Sequence, residues 1–347
     1  MTRTPAVTLK SILCPVDFSQ HSRDALRHAV AMAQRFGGRV TALFVNDPLL
    51  LAAADTFSGG RRKFVERERT ELERFVARSV GAGPPRQRAI ALEIASGNPA
   101  DEILKTASRL RNDLIVIGTQ GLSGFQKMFF GSTTEQVLHR ATIPVLAIPP
   151  SKTRGSARGR PKPITRVLAP LDLAGDWQSD AIRAATLAAA FDAELVLVHV
   201  LSKVQAPPWL RAAGGGATLS RRVAKARRAL ERVKATLAPD LHTTSYVLEG
   251  NPAQEIARLT GGASSLVVMS LRGGAGVFGA RRGAIAYHVL THSSTPVLAL
   301  PRRRLGGRFR TRVAQAMTGA LSERDRIEMS GIDAVLSTAA TDDRPSR

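Results

Sequence analysis

A single cysteine, Cys14, stands in 347 residues. No intrachain disulfide can form, and a reducing, cytoplasmic compartment is expected. Aromatic residues are scarce, at 5%, which leaves little for a base-stacking surface. No apolar run approaches the roughly 18 residues that a membrane span requires. The start, "MTRTPAVTLKSILCPVDF", is cationic, but Pro15 and Asp17 break its apolar stretch, which is too short and too polar for a signal peptide. Acidic residues are also short: 28 against 50 lysines and arginines, a net charge of +22. That balance predicts attraction to phosphates, nucleic acid or anionic surfaces and says nothing about fold. Much of the excess lies outside the apolar segments. It sits in "SKTRGSARGRPKP" (151–163), in "RRRLGGRFRTR" (302–312), and on the helical pattern "RRVAKARRALERVK" (221–234).

What is present is a repeat. "SILCPVDFS" (11–19) returns as "RVLAPLDLA" (166–174), and "SGNPADEIL" (96–104) as "EGNPAQEIA" (249–257). "DLIVIG" (113–118) returns as "SLVVMS" (265–270), and "TIPVLAIP" (142–149) as "STPVLALP" (294–301). Ordered matches at a nearly constant offset of 152 to 155 residues mark a tandem duplication of one domain-sized unit. The expected division is a first unit over 1–150, a basic linker over 151–163, a second unit over 164–302 and a basic tail of disordered composition over 303–347. The apolar fraction of 44% supports two packed cores in a soluble protein.

Each unit alternates apolar runs with helical patterns. In the first, strands are expected at 11–16, 39–45, 88–95, 113–118 and 143–148. Helices are expected near 21–36, 61–79, from Pro99 onward, and 132–140. Ala25, Ala29, Met32 and Phe36 share one stripe of the first helix. Strands apolar throughout, separated by helices, predict an α/β unit with a parallel sheet covered on both faces. Such open sheets bind ligands beyond the carboxyl ends of their strands.

The segment "GTQGLSGFQKMFFGSTT", Gly118 to Thr134, follows the fourth strand. Two readings stand. Gly118, Gly121 and Gly131 let main chain approach an anion closely, and the helix that follows offers free N–H groups and the positive end of its dipole. Ser132 and Thr133 add hydroxyls, so the loop can cradle phosphate. Alternatively, Ser132-Thr-Thr-Glu135 is a capping box and the loop only turns. A Walker loop is excluded because no Gly-Lys-Ser/Thr follows the glycines. The dinucleotide fingerprint is excluded because "CPVDFS" after the first strand has no glycine.

The Gly-x2-Gly-x9-Gly-Ser spacing, the "PVDFS" after the first strand and "IPVLAIP" in the fifth resemble the universal stress protein family. The resemblance covers nearly all of 8–150 and 164–302. It implies two tandem Rossmann-like domains of the adenine nucleotide alpha hydrolase kind, each a five-stranded parallel sheet of order 3-2-1-4-5. It implies ATP, with Mg2+ where the triphosphate carries it, bound between strands one and four of the first unit. The implied contacts are main chain at Pro15 and Val45 beside adenine, Asp17 at the ribose or base, and Gly118, Gly121, Gly131, Ser132 and Thr133 around the phosphates. In the family the fifth strand mediates pairing, so the two units are expected to pair within the chain, with a homodimer or an unidentified protein partner as further options. No pattern marks a dedicated catalytic apparatus, and slow hydrolysis of bound ATP is compatible with the resemblance.

The second copy is an internal control. It reads "SLRGGAGVFGARRGAIAY". Ser270 replaces the first glycine, Gly273 and Gly283 keep the spacing, and Ala284 and Ile285 replace the hydroxyl residues. Asp172 and Val200 match Asp17 and Val45, and Arg281 and Arg282 offer cations beside the turn. Weaker or absent nucleotide binding is expected here, and the contrast favours a ligand for the first loop. Remaining candidates are weak. His288 and His292 are four apart but lack a third ligand, so no metal site is expected. Lys127 is more ordinary as a solvated loop lysine than as a phosphate contact, and Cys14 reads as a buried small hydrophobe. The basic helix and flanks allow salt-sensitive nucleic-acid association without a reading motif. A non-nucleotide scaffold using those segments is the alternative function.

Overall fold

In a computed structural model the protein is described at residues 9–49, 52, 60–80, 90–120, 131–150, 161–173, 177–202, 215–260, 264–271, 289–290 and 293–301. The first repeat contains β1 (Ser11–Val16), α1 (Gln20–Phe36), β2 (Arg39–Asn46), α2 (Gly60–Val80), β3 (Ile90–Ser96), α3 (Pro99–Arg109), β4 (Leu114–Gly118), α4 (Ser132–Arg140) and β5 (Val145–Ile148). The second contains β6 (Arg166–Pro170), α5 (Trp177–Phe191), β7 (Glu194–Leu201), α6 (Gly215–Thr236), β8 (Thr243–Glu249), α7 (Pro252–Leu259), β9 (Ser265–Leu271) and β10 (Val297–Pro301). Residues 7–303 form one compact unit.

Local chemistry explains where the elements begin and end. Ser19 caps α1 by accepting from the N–H of Ser22. Gly37, at φ 66, closes the same helix in the left-handed conformation that glycine reaches without Cβ strain. The two Gly-Asn-Pro-Ala turns are built alike. Asn98 accepts from Ala100 and Asp101, Asn251 accepts from Ala253 and Gln254, and a proline follows each cap in the first turn. Gly97 and Gly250 precede them at φ 147 and 151, a region closed to most side chains.

The strands form one ten-stranded sheet of order β3-β2-β1-β4-β5-β10-β9-β6-β7-β8. Pairing is parallel within each half, as between β1 and β2 (Cys14↔Ala42) and β6 and β7 (Ala169↔Leu197). Each half therefore has the order 3-2-1-4-5. The halves meet through their fifth strands, which run antiparallel with Val145↔Ala299, Leu146↔Leu298 and Ala147↔Val297. Neither fifth strand is an open edge, because each covers the other. A second contact supports the seam: the Phe36 and Phe191 rings meet edge-on at 5.3 Å, and the Arg35 guanidinium donates to the Ala190 carbonyl at 3.0 Å.

Alternate strand residues feed two apolar layers. Ile12, Cys14, Ala42, Val167 and Leu195 pack with α1, α2, α5 and α6. Leu13, Leu43, Ile115, Leu168 and Val267 pack with α3, α4 and α7. Removing a fully buried member such as Leu72 of α2 would cost about 2–5 kcal/mol. One expectation needs correction. β3 and β8 are not apolar throughout but half-buried and partly exposed, because they form the outer edges of the sheet.

Candidate functional site

β1 lies between β2 on one side and β4 on the other, so the sheet order reverses at β1. This is where an open α/β sheet accepts ligands, at the strands' carboxyl ends. Pro15 lies near the end of β1 and Asp17 directly follows that strand. Val45 stands near the end of β2, one residue beyond the Val16↔Phe44 pair that ends the β1 ladder. Gly118 ends β4, and Gly131, Ser132 and Thr133 lie at the start of α4. Gly121 and Lys127 lie outside the described residues.

Asp17 is held in place. Its carboxylate accepts from the N–H of Ser19 at 3.1 Å, and its own N–H donates to the Ser22 hydroxyl at 3.3 Å. The next residue, Phe18, has φ 63, which costs a non-glycine residue about 1–2 kcal/mol. The ring repays this by packing 4.6 Å from Phe44 and edge-on to Phe75 at 5.5 Å. The Arg23 guanidinium lies over the same Phe75 ring. Asp17 therefore sits on a turn fixed by apolar packing.

Gly118 has a structural reason of its own. A Cβ there would lie 3.1 Å from the main-chain carbonyl of His21 in the first turn of α1. Its carbonyl accepts from the Thr134 hydroxyl at 2.8 Å, and the Gly131 N–H donates to the Thr119 carbonyl at 2.9 Å. These two bonds anchor the start of α4 to the end of β4. The capping box expected from Ser132-Thr-Thr-Glu135 does not form. Gly131 is the cap residue, at φ −61 and ψ 132, and among the described residues no side chain caps the helix. The Glu135 N–H makes the first helical bond, to the Gly131 carbonyl at 3.0 Å. Ser132 is thus the first helical residue, one position too late to accept from the first turn. Among the described residues the helix start keeps uncapped N–H groups beside two hydroxyl side chains.

The second unit places different chemistry at the equivalent strand end. Ser270 of β9 occupies the place of Gly118, and its hydroxyl bonds the Asp180 carboxylate on α5. Arg183 lies 3.6 Å from the same carboxylate. His199, on β7, contacts the Leu171 carbonyl through Nδ1 at 2.8 Å. Asp172 and Val200 are present after β6 and on β7. Gly273, Arg281, Arg282, Gly283, Ala284, Ile285, His288 and His292 lie outside the described residues.

Three contributors escaped the sequence reading. Asn46 ends β2, is 2% exposed, and donates to the Glu68 carboxylate on α2. Its side-chain carbonyl oxygen is buried without a partner among the described residues. Burial pushes the Glu68 carboxyl up, and the Asn46 hydrogen bond opposes that rise. A polar residue closing an apolar strand was the signal for Asn46. Thr134 and Asp180 gave no signal, because their partners are distant in sequence. Burial also pushes the Cys14 thiol far up, which removes it as a nucleophile. Among the described residues no group of three His, Cys, Asp or Glu side chains could hold a metal ion, and no helix is long and apolar enough to cross a membrane.

Known proteins share this architecture. The universal stress protein MJ0531 of Methanocaldococcus jannaschii is 31% identical over 141 residues, 40% of this chain and 81% of that protein. A universal stress protein of Thermus aquaticus is 34% identical over 141 residues, 40% of this chain and 98% of its own. A crystal structure of a universal stress protein from Archaeoglobus fulgidus DSM 4304 covers 85% of this chain and 97% of its own length, with a TM-score of 0.60 at 22% identity. The pattern that describes the universal stress protein family matches residues 8–149 and again 163–301. The chain belongs to the universal stress protein family and carries the family's unit twice.

Proposed function

We propose that the first unit binds ATP and that the protein acts in the cytoplasm as a nucleotide-responsive stress or regulatory protein. The observation that carries this reading is the uncapped start of α4, anchored beside the end of β4 at the sheet's reversal point. Uncapped N–H groups and the helix dipole stabilise a phosphate there. Gly118, Gly121, Gly131, Ser132 and Thr133 surround the phosphates. Asp17 accepts a hydrogen bond from a ribose hydroxyl, since a carboxylate offers about four acceptor positions. Main chain at Pro15 and Val45 borders the adenine. Any Mg2+ is carried by the phosphates, and nucleotide state is read by a partner protein at the 118–133 segment.

Equilibrium dialysis of the full chain tests the reading. Saturable ATP binding below millimolar concentration, one per chain, is expected. Gly131→Val is the informative variant. Gly131 has an ordinary extended conformation that valine also adopts, and the added side chain obstructs the phosphates. Binding that fails to saturate, or that survives Gly131→Val unchanged, overturns the proposal.

A further inference from the structure

The second helix of each repeat covers the same layer of the sheet but carries different charge. α2 has seven basic and four acidic residues, and it pairs them: Arg74 with Glu71 at 2.5 Å and Arg69 with Glu73 at 3.4 Å. α6 has seven basic residues and one acidic residue, Glu231. Glu231 is engaged by the Ser245 hydroxyl at 2.9 Å. Among the described residues none of the α6 cations forms an ion pair.

Their placement is ordered. Ala226, Leu230 and Val233 bury the inner face of α6. Arg221, Lys225, Arg228 and Arg232 are exposed and succeed one another at intervals of four, three and four. Those intervals put them on one stripe about 16 Å long. Like charges at this spacing repel one another, and among the described residues none of the four forms an ion pair. A polyanion would. Over a length of about 16 Å, a nucleic-acid duplex presents on the order of ten phosphate charges. Arginine, which dominates the stripe, pairs with phosphate in a bidentate manner. The exposed face offers no aromatic for stacking, and the apolar face is committed to the sheet, so the helix cannot turn it into a bilayer.

We propose that the outer face of α6 is a docking surface for the phosphate backbone of nucleic acid, bound without regard to base sequence. This stands apart from the nucleotide site in the first unit and does not depend on it.

Fluorescence anisotropy of a labelled duplex of about 25 base pairs, titrated with full-length protein across a salt series, tests the proposal. The comparison is with the chain carrying Arg221→Gln, Lys225→Gln, Arg228→Gln and Arg232→Gln. Glutamine keeps helix propensity and leaves the buried face intact, so circular dichroism should not change. About four lost phosphate contacts should lower the slope of log affinity against log salt by about 3–4. At low salt the affinity should drop at least tenfold, and two unrelated sequences should bind alike. A control with Lys63→Gln and Arg67→Gln in α2 should keep the slope. An unchanged slope in the fourfold variant overturns the proposal, because the binding then lies elsewhere in this basic chain. Failure to bind duplex while phosphatidylglycerol vesicles are bound through the same four residues overturns it in favour of a lipid surface.

Discussion

The two units end the same strand in opposite ways. β4 finishes in Gly118, with no side chain, beside an uncapped helix start. The matching place in β9 holds Ser270, whose hydroxyl is tied to the Asp180 carboxylate. One end presents main chain without a side chain, and the other carries a carboxylate paired with Arg183. Both sit on the same sheet with the same strand order. The scaffold therefore does not dictate the chemistry at its carboxyl end, and the need for glycine there is local to the first unit, where His21 crowds it.

The largest effect should come from Gly131→Val, which removes ATP binding while costing at most about 1 kcal/mol of stability, because valine caps a helix less well than glycine. Asp17→Ala should weaken ATP about tenfold to a hundredfold, the range for a hydrogen bond to a charged group, whereas Asp172→Ala should leave the dialysis isotherm unchanged. Equal losses from both would show that the units are equivalent after all. Gly118→Val tests packing rather than ligand. Its Cβ meets the His21 main chain at 3.1 Å, and overpacking of that kind costs about 1–3 kcal/mol, readable as a lower denaturant midpoint without nucleotide. Ser270→Ala in the second unit removes one hydroxyl from Asp180 and should cost about 1 kcal/mol.

The smallest expected effect is in acid. Burial holds the His28 imidazole below its ordinary value of 6.5. The unfolded chain therefore takes up this proton first as pH falls. The stability contributed by neutral His28 is full above about pH 6.5 and is lost progressively below it, by at most about 1.4 kcal/mol per pH unit. At an offset of 155 the second unit has Arg183 in place of this histidine. Hydrogen exchange at pH 7 and pH 5 should show the first unit loosening more than the second.

Local features of the fold were legible in the chain. The Gly-Asn-Pro-Ala turns announced their caps, and the repeat announced itself through four ordered matches. The strand order came from the resemblance, since no periodicity reveals which strands are neighbours. Within the candidate site, the spacing of glycines and hydroxyl residues marked Gly118, Gly131, Ser132 and Thr133, and the family resemblance marked Asp17. The capping box was misread by a single residue. Gly131 and Ser132 are both good cap residues, and what decided between them was the bond from Gly131 to Thr119. Other features depend on contacts across long stretches of chain. The approach of His21 to Gly118, the Asn46–Glu68 pair and the Ser270–Asp180 pair join residues that only the folded sheet brings together.

The antiparallel seam between β5 and β10 has a consequence beyond architecture. Two separate chains meeting through such strands fall apart on dilution, and both carry any change made to either. Here the partners are joined covalently, so each meets the other at an effective concentration that dilution cannot lower. The halves are also encoded separately. One half can be altered residue by residue while its neighbour, held in permanent register, is left untouched.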